Sequence, residues 1–366
     1  MSSLTCGFIG LGLIGGSIAR ALKESMPNIK IIAYDINGEA LLLAQKEKAV
    51  DVAADGIDEN FSECDYIFLC APVQKNNHNL EAVRKVMKSG CLLTDVGSVK
   101  TAIHEAVHEA GMDACFIGGH PMAGTERVGF LNSRANLLEN AYYILTPTDS
   151  VPAEKLEAYR ELVAKTGAIP LILDYQKHDY VTAAISHLPH VIAASLVNLV
   201  HDSDSEDGIM KMVAAGGFKD ITRISSSSAA MWQQICLTNT ANISSLLSDY
   251  IIALTEFQTR LNNRKEAALY EFFDRARLYR DSFISASSGP IKRSYRISVE
   301  IADKSGSLAR ITTMLAEHDL NIKNIGIVHN RESDDGVLKI EFYEEASMEK
   351  AADILSADGC LVHIRV

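Results

Sequence analysis

The segment Gly10-Leu11-Gly12-Leu13-Ile14-Gly15 lies between an apolar run at residues 5–10 and an amphipathic stretch at 15–23. A strand joined to a helix by glycines at this spacing leaves few folds open. The first glycine permits the tight turn, the second lets backbone approach a diphosphate, and the third lets helix and strand pack closely. The anion would rest on the helix N-terminus, beside Leu13 and Ile14, where free N–H groups and the macrodipole favour negative charge. Further on, Asp35 closes the second apolar run, Ile31-Ile32-Ala33-Tyr34. A carboxylate there accepts bonds from ribose hydroxyls and repels a 2′-phosphate, which points to NAD and away from NADP.

The alternation continues to about residue 170. Strand patterns at 30–34, 66–70, 91–95, 115–118, 141–146 and 169–173 are separated by helical patterns at 40–48, 79–87, 102–110 and 153–166. This predicts a parallel sheet with right-handed crossovers. From His178 to about Ser285 the strand signal ends. Apolar periodicity over 181–200, 208–215, 229–261 and 265–284, interrupted mainly at Gly216-Gly217, reads as an all-α domain. Its helices carry more apolar surface than one small domain hides, so a homodimer through this region is expected. The small-residue stretch Ser285-Ala286-Ser287-Ser288-Gly289-Pro290 reads as a linker. Beyond it, strands at 295–301, 321–328, 337–343 and 361–366 and helices at 307–317 and 348–355 give a βαββαβ order, which suggests a ferredoxin-like α+β sandwich. The expected division is 1–174, 175–285, a linker at 286–293, and 294–366.

A chain of 366 residues suits two or three domains. The net charge of −12 speaks against a basic face for nucleic acid, and it makes single arginines informative in a protein that takes an anionic substrate. The 7 cysteines form no CxxC pair and read as reduced thiols. No basic leader precedes the first strand, and the apolar stretches fall short of the roughly 20 residues a membrane helix needs, so a cytoplasmic protein without membrane attachment is expected.

Three segments gather polar groups near expected strand ends. Asp95-Val96-Gly97-Ser98-Val99-Lys100 leaves one strand, and Gly118-Gly119-His120-Pro121-Met122-Ala123-Gly124-Thr125-Glu126 leaves the next. Loops at the carboxyl ends of parallel strands line the ligand crevice. A histidine among glycines and a proline is expected on an exposed loop, where its ring can exchange a proton near neutral pH; the alternative is an ordinary surface histidine. The third segment, Ser186-His187-Leu188-Pro189-His190, opens the helical region. No nearby carboxylate or cysteine completes a metal site there, so no metal is expected. Arg223, within an expected apolar-periodic helix, suggests a carboxylate clamp or an ion pair with Asp220. Trp232 reads as core or interface packing.

Gly10–Ser17, Asp95–Lys100, Gly118–Glu126, Ser186–His190 and Gly217–Ile224 (GFKDITRI) together resemble the prephenate dehydrogenase family, in the family's order. The resemblance implies NAD-dependent oxidative decarboxylation of prephenate to 4-hydroxyphenylpyruvate on the way to tyrosine. It implies that His120 is the base, with Ser98 orienting its ring and contacting the hydroxyl or nicotinamide. It further implies that Arg223 holds a substrate carboxylate, with His190, Ser186, Glu126 and Trp232 around the pocket. The tail resembles an ACT domain whose loop Asp303-Lys304-Ser305-Gly306-Ser307-Leu308 has Ser305 at the family's usual proline. That resemblance implies L-tyrosine as effector, bound through Asp303, Ser305, Gly306, Ser307 and Leu308. Arogenate dehydrogenase is the nearest alternative. A β-hydroxyacid dehydrogenase would need a catalytic-lysine block, which Lys211 and Lys219 do not supply, and a non-catalytic NAD sensor would have no use for His120, Ser98 and Arg223 together.

Overall fold

A computed structural model describes residues 4–125, 127–285, 295–302, 304–329 and 335–365. The chain divides into two compact units, Met1–Glu271 and Phe272–Val366.

In the first unit the apolar runs become strands, the central ones buried on both faces as crossover helices require. An eight-stranded sheet has the order β3-β2-β1-β4-β5-β6-β7-β8. Its strands are β1 (Thr5–Ile9), β2 (Lys30–Tyr34), β3 (Val52–Ala53), β4 (Tyr66–Leu69), β5 (Leu92–Asp95), β6 (Phe116–Pro121), β7 (Tyr142–Pro147) and β8 (Ile169–Ile172). The connecting helices are α1 (Leu13–Ser25), α2 (Gly38–Lys46), α3 (Val73–Val86), α4 (Thr101–Glu109) and α5 (Ala153–Ala164). Strands β1 to β6 run parallel. The order reverses between β1 and β4, so the ligand crevice of this fold class opens at their carboxyl ends.

The expectation of an all-parallel sheet is corrected at one side. β7 pairs antiparallel with β6, and β8 runs parallel to β7. The reason lies in the connection: among the described residues between β6 and β7 the helical segments are short 3₁₀ turns, at Phe130–Asn132 and Ala135–Leu138. Without a crossover helix, the chain returns beside β6 in the opposite sense. The two-residue β3 was too short to leave a periodic signal.

The helical part holds α6 (Tyr175–Thr182), α7 (Leu188–Ser203), α8 (Ile209–Val213), α9 (Gly216–Thr222), α10 (Ala229–Thr238), α11 (Thr240–Asn262) and the start of α12 (Glu266–Ser285), which continues into the second unit. A π turn at Ala183–His187 joins α6 to α7 in one helix of 29 residues, Tyr175–Ser203. Pro189 stands in the first turn of α7 and lacks the N–H that a regular helix would use there. Three expectations are corrected here. Gly216-Gly217 begins α9 instead of interrupting helix. Residues 229–261 form two helices, because Asn239 takes a non-helical conformation at their junction. The long helix also contains an 18-residue window of mean hydropathy 1.5, of which 17% is buried, so one segment does reach membrane-spanning length and apolarity. Counting uninterrupted apolar runs missed it, since single Ser, His and Asn residues break the runs without adding charge.

In the second unit, β9 (Tyr295–Ala302), α13 (Ser307–Glu317), β10 (Ile322–His329), β11 (Asp335–Phe342), α14 (Glu345–Ala357) and β12 (Val362–Arg365) follow the βαββαβ order. The four strands form an antiparallel sheet in the order β10-β11-β9-β12. Ile297, Val299, Leu338, Ile340, Leu315 and Leu355 are buried in its own core. The expected linker, 286–293, lies outside the described residues.

Candidate active site

The glycine turn is built by steric necessity. Gly10 has φ +96°, and a Cβ there would stand 2.7 Å from Ala71 N at the end of β4. A Cβ on Gly15 would meet the Gly10 carbonyl oxygen at 2.6 Å. Gly12 faces open space, and α1 starts after it with no side-chain cap. Leu13 and Ile14, half-buried, form the first turn. Asp35 follows β2 and turns back to the same place: its carboxylate accepts from Leu11 N at 2.5 Å and from Asn37 N at 2.8 Å. A helix N-terminus without a cap, open backbone and a carboxylate at the strand end fit a dinucleotide's diphosphate and ribose.

His120 lies in β6 and not on a loop, a further correction. Gly118, the expected strand end, and Gly119 both lie within the strand, which runs on to Pro121. They are glycines because the strand is crowded. A Cβ at 118 would fall 2.2 Å from Thr146 Oγ1, and one at 119 would fall 2.5 Å from the Asp95 carbonyl oxygen. Asp95 and Lys100 form a buried ion pair and clamp the strand from both sides: Asp95 Oδ1 accepts from Gly119 N at 3.1 Å, and Lys100 Nζ donates to the Gly119 carbonyl at 2.7 Å. Burial lowers the Lys100 pKa, with the Asp95 carboxylate opposing it.

The half-buried His120 ring is held by residues that sequence reasoning did not single out. His120 Nδ1 is 2.8 Å from His178 Nε2, and His178 Nδ1 is 2.8 Å from Asp179 Oδ1. His178 and Asp179 are fully buried on α6. Asp179 also accepts from Lys100 N at 2.7 Å, Thr101 N at 2.8 Å and Thr101 Oγ1 at 2.6 Å. It therefore caps α4, where a carboxylate opposes the positive end of the helix. Burial works to raise the Asp179 carboxyl, but the bonds from His178, Thr101 and Lys100 outweigh it and hold it below its ordinary value. Burial, then the neighbouring His178, Lys100 and His187, hold the His120 imidazole well below its ordinary value, so it stays neutral at pH 7. A neutral imidazole in a fixed orientation can accept a proton. The adjacent His178-Asp179 pair, just ahead of the apolar stretch at 181–200, was the signal that could have found this group.

Ser98 sits half-buried in the loop after β5, and among the described residues it makes no hydrogen bond to His120. The His120 ring nitrogen meets His178 instead. His190 stacks on Trp232, with ring centroids 3.7 Å apart, and its Nδ1 donates to the Ser186 carbonyl at 2.9 Å. Burial, then the Arg223 charge, lower the His190 pKa against that bond. Arg223 is exposed at the C-terminal end of α9, where a 3₁₀ turn begins, and not inside a helix as expected. The helix stops short where Ser225 and Ser227 bond back to the Thr222 and Ile224 carbonyls. The Trp232 indole Nε1 is buried without an acceptor among the described residues. His187, pushed down to about 4 by burial, shares the Asn239 amide with Asp179: Asn239 Nδ2 lies 3.2 Å from His187 Nδ1 and 2.8 Å from the Asp179 carbonyl. Glu126 and Asp303 lie outside the described residues. In the second unit Gly306 (φ +94°) begins α13 beside Ser305, Ser307 and Leu308, and Leu308 is 41% exposed.

Two family models match, described as the prephenate dehydrogenase nucleotide-binding domain over residues 18–171 and the prephenate dehydrogenase dimerization domain over residues 174–275. A prephenate dehydrogenase of Bacillus subtilis is 35% identical over 350 residues, covering 95% of this chain and 94% of that protein. Among solved structures, the Aquifex aeolicus prephenate dehydrogenase in complex with hydroxyphenyl propionate and NAD+ is 30% identical with a TM-score of 0.72, covering 77% of this chain and 99% of its own. The Synechocystis arogenate dehydrogenase is 29% identical with a TM-score of 0.70, covering 77% and 100%. By these matches, the chain belongs to the prephenate dehydrogenase family.

Proposed function

We propose that the protein oxidatively decarboxylates prephenate to 4-hydroxyphenylpyruvate with NAD. The observation that carries the reading is His120: a neutral imidazole, locked in orientation at the same sheet edge as the uncapped glycine turn. Gly10, Gly12, Leu13, Ile14, Gly15 and Asp35 would hold the dinucleotide, which when bound accepts the hydride from the carbinol carbon. His120 takes the hydroxyl proton, which raises electron density at that carbon and eases hydride loss. The bond to the ring carboxylate then breaks, its electron pair enters the ring, and carbon dioxide leaves as the ring becomes aromatic. Ser98 contacts the hydroxyl or the nicotinamide. Arg223 holds a carboxylate, with His190, Ser186, Glu126 and Trp232 around it, and the indole N–H of Trp232, without an acceptor among the described residues, offers a further donor.

The same reading divides the chain into a dinucleotide domain at 1–174, a helical domain at 175–285, a linker at 286–293 and an ACT domain at 294–366. The βαββαβ order and the antiparallel sheet support a ferredoxin-like ACT module that binds L-tyrosine at Asp303, Ser305, Gly306, Ser307 and Leu308. Exposed Ile251, Ile252, Leu254 and Leu261 on α11 support a homodimer through the helical domain. The enzyme would work in the cytoplasm; with the outer side chains of the long helix covered by a second copy, no membrane is needed.

Prephenate added with NAD should produce NADH at 340 nm faster than arogenate does. His120→Asn should lower kcat about 10²–10⁴-fold, the usual worth of a general base, with KM little changed. Because only neutral His120 can accept a proton and its pKa is depressed, kcat/KM should hold through pH 6.5 and fall only at lower pH. A fully active His120→Asn enzyme would refute the base.

A further inference from the structure

We propose that His178, pinned by Asp179, sets the tautomer of His120 and so makes Nε2 the basic nitrogen of that ring. The inference rests on the reading of His120 as the base and deepens it. It starts from the one group in the chain of contacts whose polarity is fixed. An ionised carboxylate only accepts hydrogen bonds. Asp179 Oδ1, 2.8 Å from His178 Nδ1, therefore requires the His178 proton on Nδ1. On a neutral ring that leaves His178 Nε2 as the acceptor. It stands 2.8 Å from His120 Nδ1, so His120 must donate from Nδ1. The remaining nitrogen, His120 Nε2, is left with its lone pair. One carboxylate thus orders two rings in series.

The surroundings keep the carboxylate from turning away or being replaced. Both oxygens are engaged by α4: Oδ1 by Lys100 N, and Oδ2 by Thr101 N and Oγ1. His178, Asp179 and Lys100 are all buried, so water does not compete for these positions. The planes of the two imidazoles are twisted by 72° with centroids 5.0 Å apart, so the rings are not stacked and meet through the two nitrogens 2.8 Å apart. His178 and Asp179 are positioning residues: they act on the substrate only through His120.

The test is nitrogen NMR of histidine-labelled protein together with two variants of similar size. In the wild-type enzyme His120 should show a protonated Nδ1 and a bare Nε2 at pH 7.5. His178→Gln keeps an acceptor, its amide oxygen, for the His120 Nδ1–H; it should retain that pattern and kcat within about threefold. His178→Leu offers none. It should lose the pattern and lower kcat about 10- to 100-fold, less than removal of the base itself, while KM for prephenate and NAD stays within about threefold. A wild-type His120 protonated on Nε2, a His178→Leu enzyme with wild-type kcat, or equal losses in the two variants would each overturn the proposal. If His178→Leu does not fold, the wild-type spectrum and His178→Gln decide. An active His120→Asn enzyme would instead refute the base itself; an inactive one beside an unaffected His178→Leu enzyme would refute only the tautomer control.

Discussion

Asp35 and Asp179 are both carboxylates that accept backbone N–H groups, and they differ in what is left of their hydrogen-bonding capacity. Asp179 spends both oxygens on donors of its own chain. Asp35 accepts one backbone N–H on each oxygen, which leaves a lone pair on each for a ligand. Replacing Asp35 with Ser should therefore spare the fold and lower the preference for NAD over NADP by at least about tenfold, one well-placed charge-assisted bond. Steady-state kcat/KM with each cofactor measures it, and an unchanged ratio would remove Asp35 from the site. Asp35 was legible because its distance from the glycine turn is a fixed property of a strand-helix-strand unit. Asp179 was not, because its partners Lys100 and Thr101 are far away in sequence and only folding joins them.

At the scale of elements, periodicity located the first-unit strands other than β3, and most of the helices. It failed where close packing imitates a turn. Gly118 and Gly119 carry the composition of a loop, yet they form the part of β6 between the Asp95 carbonyl, Tyr143 and Thr146. A methyl group at position 119 would press on backbone and on a buried aromatic ring, neither of which can yield. Gly119→Ala should cost about 1–3 kcal/mol, as overpacking does, and should lower kcat because His120 is the next residue. Gly124→Ala, whose Cβ would enter open space, is the control. Equal melting temperatures for the two variants would show that β6 is not clamped as described. The break at Asn239 was likewise hidden, since its cause is the amide bond to the Asp179 carbonyl and not a local turn.

At the scale of the whole molecule, the chain separates Met1–Glu271, which holds every catalytic group proposed above, from Phe272–Val366, whose strands form their own sheet and core. A chain ended after Ser288 should keep turnover and lose inhibition by L-tyrosine, read as initial rates with and without the amino acid. Inhibition that persists would place tyrosine in the substrate pocket. Within the larger unit, the reversed pair β7–β8 decides where the next helix starts. β8 ends at the edge of the sheet remote from the dinucleotide, so α6 sets out from below. It passes His104, where Tyr175 stacks with centroids 4.4 Å apart, and reaches the top of α4 four residues later. A final strand laid the other way would have launched that helix from the upper rim, and the imidazole of β6 would have met no rising neighbour. Two backward strands thus do for this enzyme what a separate lid does elsewhere: they deliver a supporting wall to the reacting end of the sheet.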